Sequence, residues 1–140
     1  MQTFLPFPDF KKTAQTLDWR RLGKQRVECW QILRTLLGES QGWRNHPAVL
    51  MWKGYEVALC YYGLTICQEW INMGYKDTMT ARFRDMLSNL PEDQFYEAPS
   101  WLGQQDFHES HQSNLIRKDP DYYSARFPGT PDNLPYIWPE

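Results

Sequence analysis

The sequence predicts an all-α protein. It reads as a single domain of three to five helices, with a short extended N-terminal arm and a proline- and aromatic-rich C-terminal tail. Three observations predict this. Apolar residues recur at helical spacing through two long segments, 18–37 and 47–74. Asp, Asn or Pro precedes the helical segments, and Gly follows several of them. No stretch alternates apolar and polar residues as a strand does. At 140 residues and 41% hydrophobic, the chain is long enough to bury one core.

The elements follow in order. Residues 1–8 carry prolines at 6 and 8. Proline disfavours helix in the residue before it, so this arm is expected to be non-helical. Asp9 is expected to cap a short helix to about Leu17. Asp18 is expected to cap the main helix, which runs to Leu37 and stops at Gly38. Leu22, Cys29, Leu33 and Leu36 make one apolar stripe on it, flanked by Trp30 and Leu37. Arg26 falls inside that stripe, and Arg20, Lys24, Glu28 and Gln31 lie on the other side. Residues 39–44 read as a loop. Asn45 is the expected cap of the next helix, with Pro47 in its first turn, where a missing N–H costs nothing. That helix should reach Gly74. It is apolar nearly all round, which makes it central and buried. Gly54 and Gly63 within it mark either a break or a close helix crossing. Asp77 or Thr78 starts a third helix to about Leu90, ended by Pro91, and residues 91–105 read as loop. Asp106 is the expected cap of a helix to Lys118. Asp119-Pro120 restarts a short helix through Phe127. Tyr136 and Trp138 are expected to pin the tail to the body.

The net charge of −2 is not that of a strongly basic nucleic-acid binder. The distribution says more. Residues 1–54 hold nine Lys and Arg against four Asp and Glu, while the rest of the chain carries a net −7. This asymmetry predicts one basic and one acidic face, against the plain alternative of two ordinary solvated surfaces. Cys29, Cys60 and Cys67 contain no Cys-x-x-Cys pair, which argues against a zinc site of the usual spacing. Thiols in apolar runs suit a reducing cytoplasm. There is no signal-peptide pattern at the start and no apolar run of membrane-spanning length. A cytoplasmic monomer is expected.

Several residues can carry chemistry, each with an ordinary alternative. Lys11, Lys12, Arg20, Arg21, Lys24 and Arg26 suit phosphate binding, or form a solvated helix face. Arg26 on an apolar stripe needs a partner or a role. Glu28 lies four residues after Lys24, the spacing of an intrahelical pair. His46 follows Trp43-Arg44-Asn45 at a helix start, where it can meet phosphate or serve as a cap. His108 and His111 are spaced to ligate a metal with a third ligand such as Glu56, or to be ordinary helix residues. Glu56 is one of two charges in residues 47–68. It either pairs with an Arg such as Arg26 or does acid–base work with a raised pKa. An α-amine, with a pKa of about 8, can act as a neutral nucleophile.

Together these residues look familiar. Gly54-Tyr-Glu-Val before an aromatic-rich helix, and then Gly74-Tyr-Lys-Asp-Thr78, resemble stretches of the pyrimidine-dimer DNA glycosylase (endonuclease V) family. Arg26-Val27 in the main helix, Leu115-Ile-Arg-Lys118 and the aromatic pair Tyr122-Tyr123 are similar to further parts of it. Arg21-Leu-Gly-Lys-Gln-Arg-Val-Glu28, together with Gly42-Trp-Arg-Asn-His-Pro47, looks more like a bacterial branch than the phage one. The resemblance covers most of the chain at about one residue in five.

The resemblance implies a compact all-α glycosylase with apurinic-site lyase activity on damaged double-stranded DNA, needing no metal or other cofactor. In the family an N-terminal amine attacks sugar C1′ and forms an imine, a glutamate assists, and arginines grip the DNA. Two departures shape the assignment. The bulk of Gln2 discourages removal of Met1, which puts Met1 itself in the nucleophile's place, with Lys24 as a second candidate amine. The family's catalytic Glu directly follows an Arg, but here Arg21 is followed by Leu22, so Glu28 or Glu56 takes that role. The expected DNA contacts are Arg20, Arg21, Arg26, Arg44, His46, His108 and His111. Two other functions are carried alongside: a non-catalytic DNA-binding module, and a metal-dependent hydrolase built on His46, His108 and His111.

Overall fold

The structure is a computed structural model and describes residues 1–90 and 96–139. Among these it contains seven α-helices and no strand: α1 (Phe10–Thr16), α2 (Trp19–Leu36), α3 (Pro47–Leu50), α4 (Glu56–Asn72), α5 (Met79–Asn89), α6 (Gln105–Lys118) and α7 (Pro120–Tyr123). The all-α class holds. The helix count exceeds five because α3 and α7 are single turns and the expected helix over 47–74 is divided.

Both meanings of the two glycines are realised. Gly54 has φ +87°, a left-handed conformation that ends the turn after α3 and lets α4 start afresh at Glu56. Gly63 is the close crossing. A Cβ there would sit 2.5 Å from the Phe83 ring of α5. α4 is the central helix and packs on α1, α2 and α5, burying Ala58, Leu59, Tyr62 and Ile66 completely. Cys60 and Cys67 on α4, and Cys29 on α2, are free and buried. Burial pushes the Cys60 and Cys67 thiols up to about 12, so both stay protonated and inert at neutral pH. No helix among the described residues is long and apolar enough to cross a membrane.

The capping expectations hold for the first two helices and fail for two others. Asp9 accepts from Lys12 N (3.0 Å) and Asp18 from Arg21 N (3.3 Å). The cap of α3 is His46 rather than Asn45, since the imidazole Nδ1 accepts from Ala48 N at 3.0 Å. α6 starts after Gln104 with no side-chain cap. Asp106 lies within its first turn, its carboxylate 2.8 Å from Phe107 N. α7 ends at Tyr123 rather than Phe127. Residues 96–104 carry no helix, while the rest of the expected loop, 91–95, lies outside the described residues.

The tail crosses α6. Ser113 Oγ accepts from Leu134 N (3.0 Å) and Ser110 Oγ from Ile137 N (3.1 Å). Arg117 donates to the carbonyls of Asp132 (2.6 Å) and Leu134 (2.7 Å). The rings of Tyr136 and Trp138 lie 5.3 and 6.0 Å from that of His111.

Candidate active site at the chain start

The N-terminal arm has no strand partner, yet its buried backbone groups are hydrogen-bonded, as buried amides must be. The partners are side chains. Gln25 on α2 accepts from Phe4 N (2.8 Å) and donates to Gln2 O (2.9 Å), doing with one carboxamide what a neighbouring strand would do. Tyr62 on α4 donates to Phe4 O. His111 Nδ1 accepts from Leu5 N (3.1 Å), and His108 Nδ1 lies 2.8 Å from Leu5 O. Gln112 reaches Pro6 O (2.8 Å), and Thr13 on α1 bonds both backbone groups of Phe7. Four helices thus hold one short segment.

These bonds settle the two histidines. Leu5 N–H and Gly103 N–H can only donate, so His111 Nδ1 and His108 Nε2 must accept. Both rings are therefore neutral. Burial pushes both below the ordinary histidine range, His111 to about 3. The expectation that His108 and His111 touch DNA is corrected. They are buried, and they grip the arm's backbone. The metal-site alternative loses His108, both of whose ring nitrogens have partners, whereas His111 uses Nδ1 and leaves its buried Nε2 without one among the described residues. Among the described residues no group of three His, Cys, Asp or Glu is arranged to hold a metal.

The arm ends against Glu28. The backbone N–H of Gln2 donates to Glu28 Oε2, and Glu28 is only 8% exposed. The other carboxylate oxygen faces Lys24 Nζ at 3.6 Å. Lys24 itself is largely exposed. The Met1 side chain packs against the core. Met1 also lines two clefts that meet at the chain start. The larger, of 580 Å³, is walled by Asp18, Arg20, Arg21, Lys24, Glu28 and Lys118 among others. The smaller, of 230 Å³, is bounded by Lys24, Val27, Glu28, Gln31 and Trp43. Burial raises the Asp18 carboxyl, but hydrogen bonds from Tyr123 and Arg21 outweigh it and hold it below its ordinary value. Arg20 and Lys118 are exposed on the rim of the larger cleft. Burial lowers the His46 pKa, and the N-terminal charge lowers it further.

Two other expected site residues lie elsewhere. Arg26 points away from the clefts, as its place in the apolar stripe requires. It forms an ion pair with Asp77, whose side chain is fully buried, and lies over the Trp70 ring at 4.5 Å. Its expected role as a DNA contact is corrected to a structural one. Glu56 is half-buried at the start of α4, where its carboxylate accepts from Gly54 N at 3.2 Å. It lines neither cleft and does not pair with Arg26, so a catalytic place for it is not supported. Arg44 is exposed in the turn that carries Trp43, bonded to Gln41 at 2.7 Å.

Four contributors escaped the sequence: Gln25, Tyr62, Lys118 and Trp43. Gln25 did leave a signal. It lies three residues after Leu22 and four before Cys29, a polar residue on the apolar stripe. Lys118 joins the larger cleft from the far end of α6, a proximity that no local pattern encodes.

The chain start is thus fixed against a nearly buried carboxylate, beside a cleft whose rim carries the exposed cations Arg20 and Lys118. The chain belongs to the pyrimidine dimer DNA glycosylase family, whose model matches residues 1–83. It is thus a DNA repair glycosylase, and its substrate is DNA. The matched span runs from the arm into α5 and includes Met1, Lys24, Gln25, Glu28 and Trp43 but none of α6. No curated protein and no solved structure matches the chain.

Proposed function

We propose that the protein is a glycosylase with apurinic/apyrimidinic lyase activity, acting as a monomer on double-stranded DNA that carries pyrimidine dimers or a related lesion. The Met1 α-amine attacks C1′ of the damaged nucleotide. A C1′–N bond forms to the amine. The bond to the base breaks, and the base leaves with the electron pair and takes up a proton. The sugar ring opens to a protonated imine. Loss of a C2′ proton then expels the 3′-phosphate and cuts the strand. Water hydrolyses the imine and returns the amine. Glu28 accepts the protons and offsets the positive charge of the imine. Arg20, Arg21, Lys24, Lys118 and Arg44 hold phosphates, with His46 beside the groove. Damaged, poorly stacked sites are the less costly ones to distort.

The observation that carries this reading is the hydrogen bond from Gln2 N–H to Glu28, which sets a nearly buried carboxylate one residue from the amine. Retention of Met1 fits the chemistry. A free α-amine on Gln2 would close on its own carboxamide, expel ammonia and lose its nucleophile. The test is borohydride reduction in the presence of duplex DNA with an abasic site, followed by mass mapping of the adduct. A covalent adduct on the Met1 nitrogen, abolished by prior acetylation of the N-terminus, is expected. No adduct, under conditions in which a known lyase is trapped, would sink the imine mechanism. An adduct on Lys24 would move the nucleophile there.

A further inference from the structure

The C-terminal tail reaches both sides of the chain-start site without Trp138 lining either cleft. Trp138 is half-buried and packs against the core. Its indole lies edge-on to two imidazoles, with ring centroids 6.0 Å from His111 and 6.4 Å from His46. Both distances fall within the span of about 4.5–7 Å over which edge-to-face rings attract. Each imidazole already has a backbone duty. His111 Nδ1 accepts from Leu5 N and so anchors the arm. His46 Nδ1 accepts from Ala48 N and so fixes the start of α3. His46 also meets Trp43 edge-on at 5.7 Å, and Trp43 lines the smaller cleft with Met1, Lys24, Val27, Glu28 and Gln31. Among the described residues Trp138 is the one ring paired with both histidines.

The second nitrogen of His111 shows why a ring is needed there. Because Nδ1 accepts, the proton of the neutral imidazole is on Nε2. That N–H is buried and has no hydrogen-bond partner among the described residues. Around the imidazole stand the rings of Phe107, Tyr136 and Trp138, at 4.5, 5.3 and 6.0 Å. An aromatic face accepts only weakly from an N–H. No strong polar contact on that side keeps the ring from turning, so packing must keep Nδ1 aimed at Leu5 N. Two of the three rings come from the tail. The tail can supply them because Ser110, Ser113, Asn114 and Arg117 of α6 hold its backbone at residues 132–137.

We propose that Trp138 is a positioning residue for the reaction. It holds His111, and through it Leu5 and the chain start. It also holds His46, and through it Trp43. The amine and the far wall of the smaller cleft are thereby kept at a fixed separation. Tyr136 supports the His111 side alone. The inference rests on the amine chemistry proposed above. Trp138 lies outside residues 1–83, the span the family model matches.

The experiment uses the full chain and has two parts. The first needs no DNA: amide hydrogen exchange is followed at Leu5, at Ala48 and in α4. Trp138→Ala is expected to speed exchange at both Leu5 and Ala48 while leaving Leu59 and Ile66 slow. Tyr136→Ala should speed it at Leu5 only. The second part is kinetics on an abasic duplex. Trp138→Ala should lower kcat by up to about 10²-fold, the cost of a small misplacement of reacting groups, with KM little changed. Trp138→Phe keeps a ring and should restore most of both properties. Trp138→Leu keeps apolar bulk without a ring and should behave as Trp138→Ala does, which covers the case in which the alanine variant does not fold. Unchanged exchange at Leu5 and Ala48 with unchanged kcat in the folded variant overturns the proposal. So does faster exchange in α4 to the same degree as at Leu5, because that is a general loss of stability. Borohydride trapping by the unsubstituted protein is run in parallel. A missing adduct there overturns the amine chemistry and leaves the exchange result standing.

Discussion

The backbone N–H of Gln2 donates to the carboxylate of Glu28, 26 residues further along the chain. One side chain therefore holds the arm in place and stands beside the amine. Glu28→Gln separates the two jobs, because a carboxamide oxygen still accepts from Gln2 N–H but carries no charge and is a poor base. We expect kcat on an abasic duplex to fall about 10²- to 10⁴-fold, with DNA affinity and thermal midpoint little changed. A loss of binding as large as the loss in rate would show that Glu28 only positions the arm.

Gln25 should behave in the opposite way. Gln25→Ala leaves Phe4 N without its acceptor in a buried setting and Gln2 O without its donor in a part-buried one. An unsatisfied buried group costs about 1–3 kcal/mol. Urea denaturation should show a loss in that range, with a fall in kcat caused by a misplaced amine. Gln25→Glu can still accept from Phe4 N but cannot donate to Gln2 O, and it sets a second carboxylate near Glu28. It should rescue neither property.

His111 makes stability depend on pH. Its folded pKa, about 3, lies below the ordinary histidine value of 6.5 because burial disfavours the imidazolium. Between these values the unfolded chain binds a proton that the folded chain does not, so stability is complete above about pH 6.5 and falls as the pH drops towards 3. The shift corresponds to about 5 kcal/mol across that window. His111→Asn keeps an acceptor for Leu5 N and does not titrate. Its stability should start lower at pH 7 and decline less steeply, and an unchanged slope in acid urea titrations would refute the assignment.

Arg26 and Arg20 should differ in kind, though both lie on α2. Arg26 is paired with Asp77, whose side chain is fully buried. Removing either partner strands a buried charge, at a cost of about 3–5 kcal/mol. Arg20 is exposed on the cleft rim. Arg20→Ala should leave stability alone and reduce the salt slope of DNA binding by about 1. Arg26→Ala should lower the melting temperature and leave that slope unchanged.

These contrasts mark how far the sequence can be read. The stripe on α2, the buried character of α4, the caps Asp9 and Asp18, and the inward place of Arg26 all follow from local periodicity and capping chemistry. The partner of Arg26 does not. Asp77 lies 51 residues away, and its carboxylate is turned inward by Thr80, whose backbone N–H donates to it at 2.7 Å. His108 and His111 have the spacing of ligands, and nothing local says that backbone amides already occupy them. His46 displaced Asn45 as the cap of α3 because an imidazole nitrogen can accept as a carboxamide does, a substitution that propensity rules rank low. Glu56 read as buried because its sequence neighbours are apolar, but the left-handed turn at Gly54 puts it at a helix start, beside a backbone amide rather than a guanidinium.

The way the arm is held has a wider consequence. Its hydrogen bonds run to residues as far as 106 positions away and end on four separate helices, so the start of the chain cannot stay in place while the body loosens. The amides of Phe4 and Leu5 belong to no regular element, yet they should exchange with solvent deuterium as slowly as those of the central helix. Activity then becomes a gauge of cooperativity. A substitution deep in α6, remote from DNA, is felt as misplacement of the first residue, and selection for repair acts on the integrity of the whole fold.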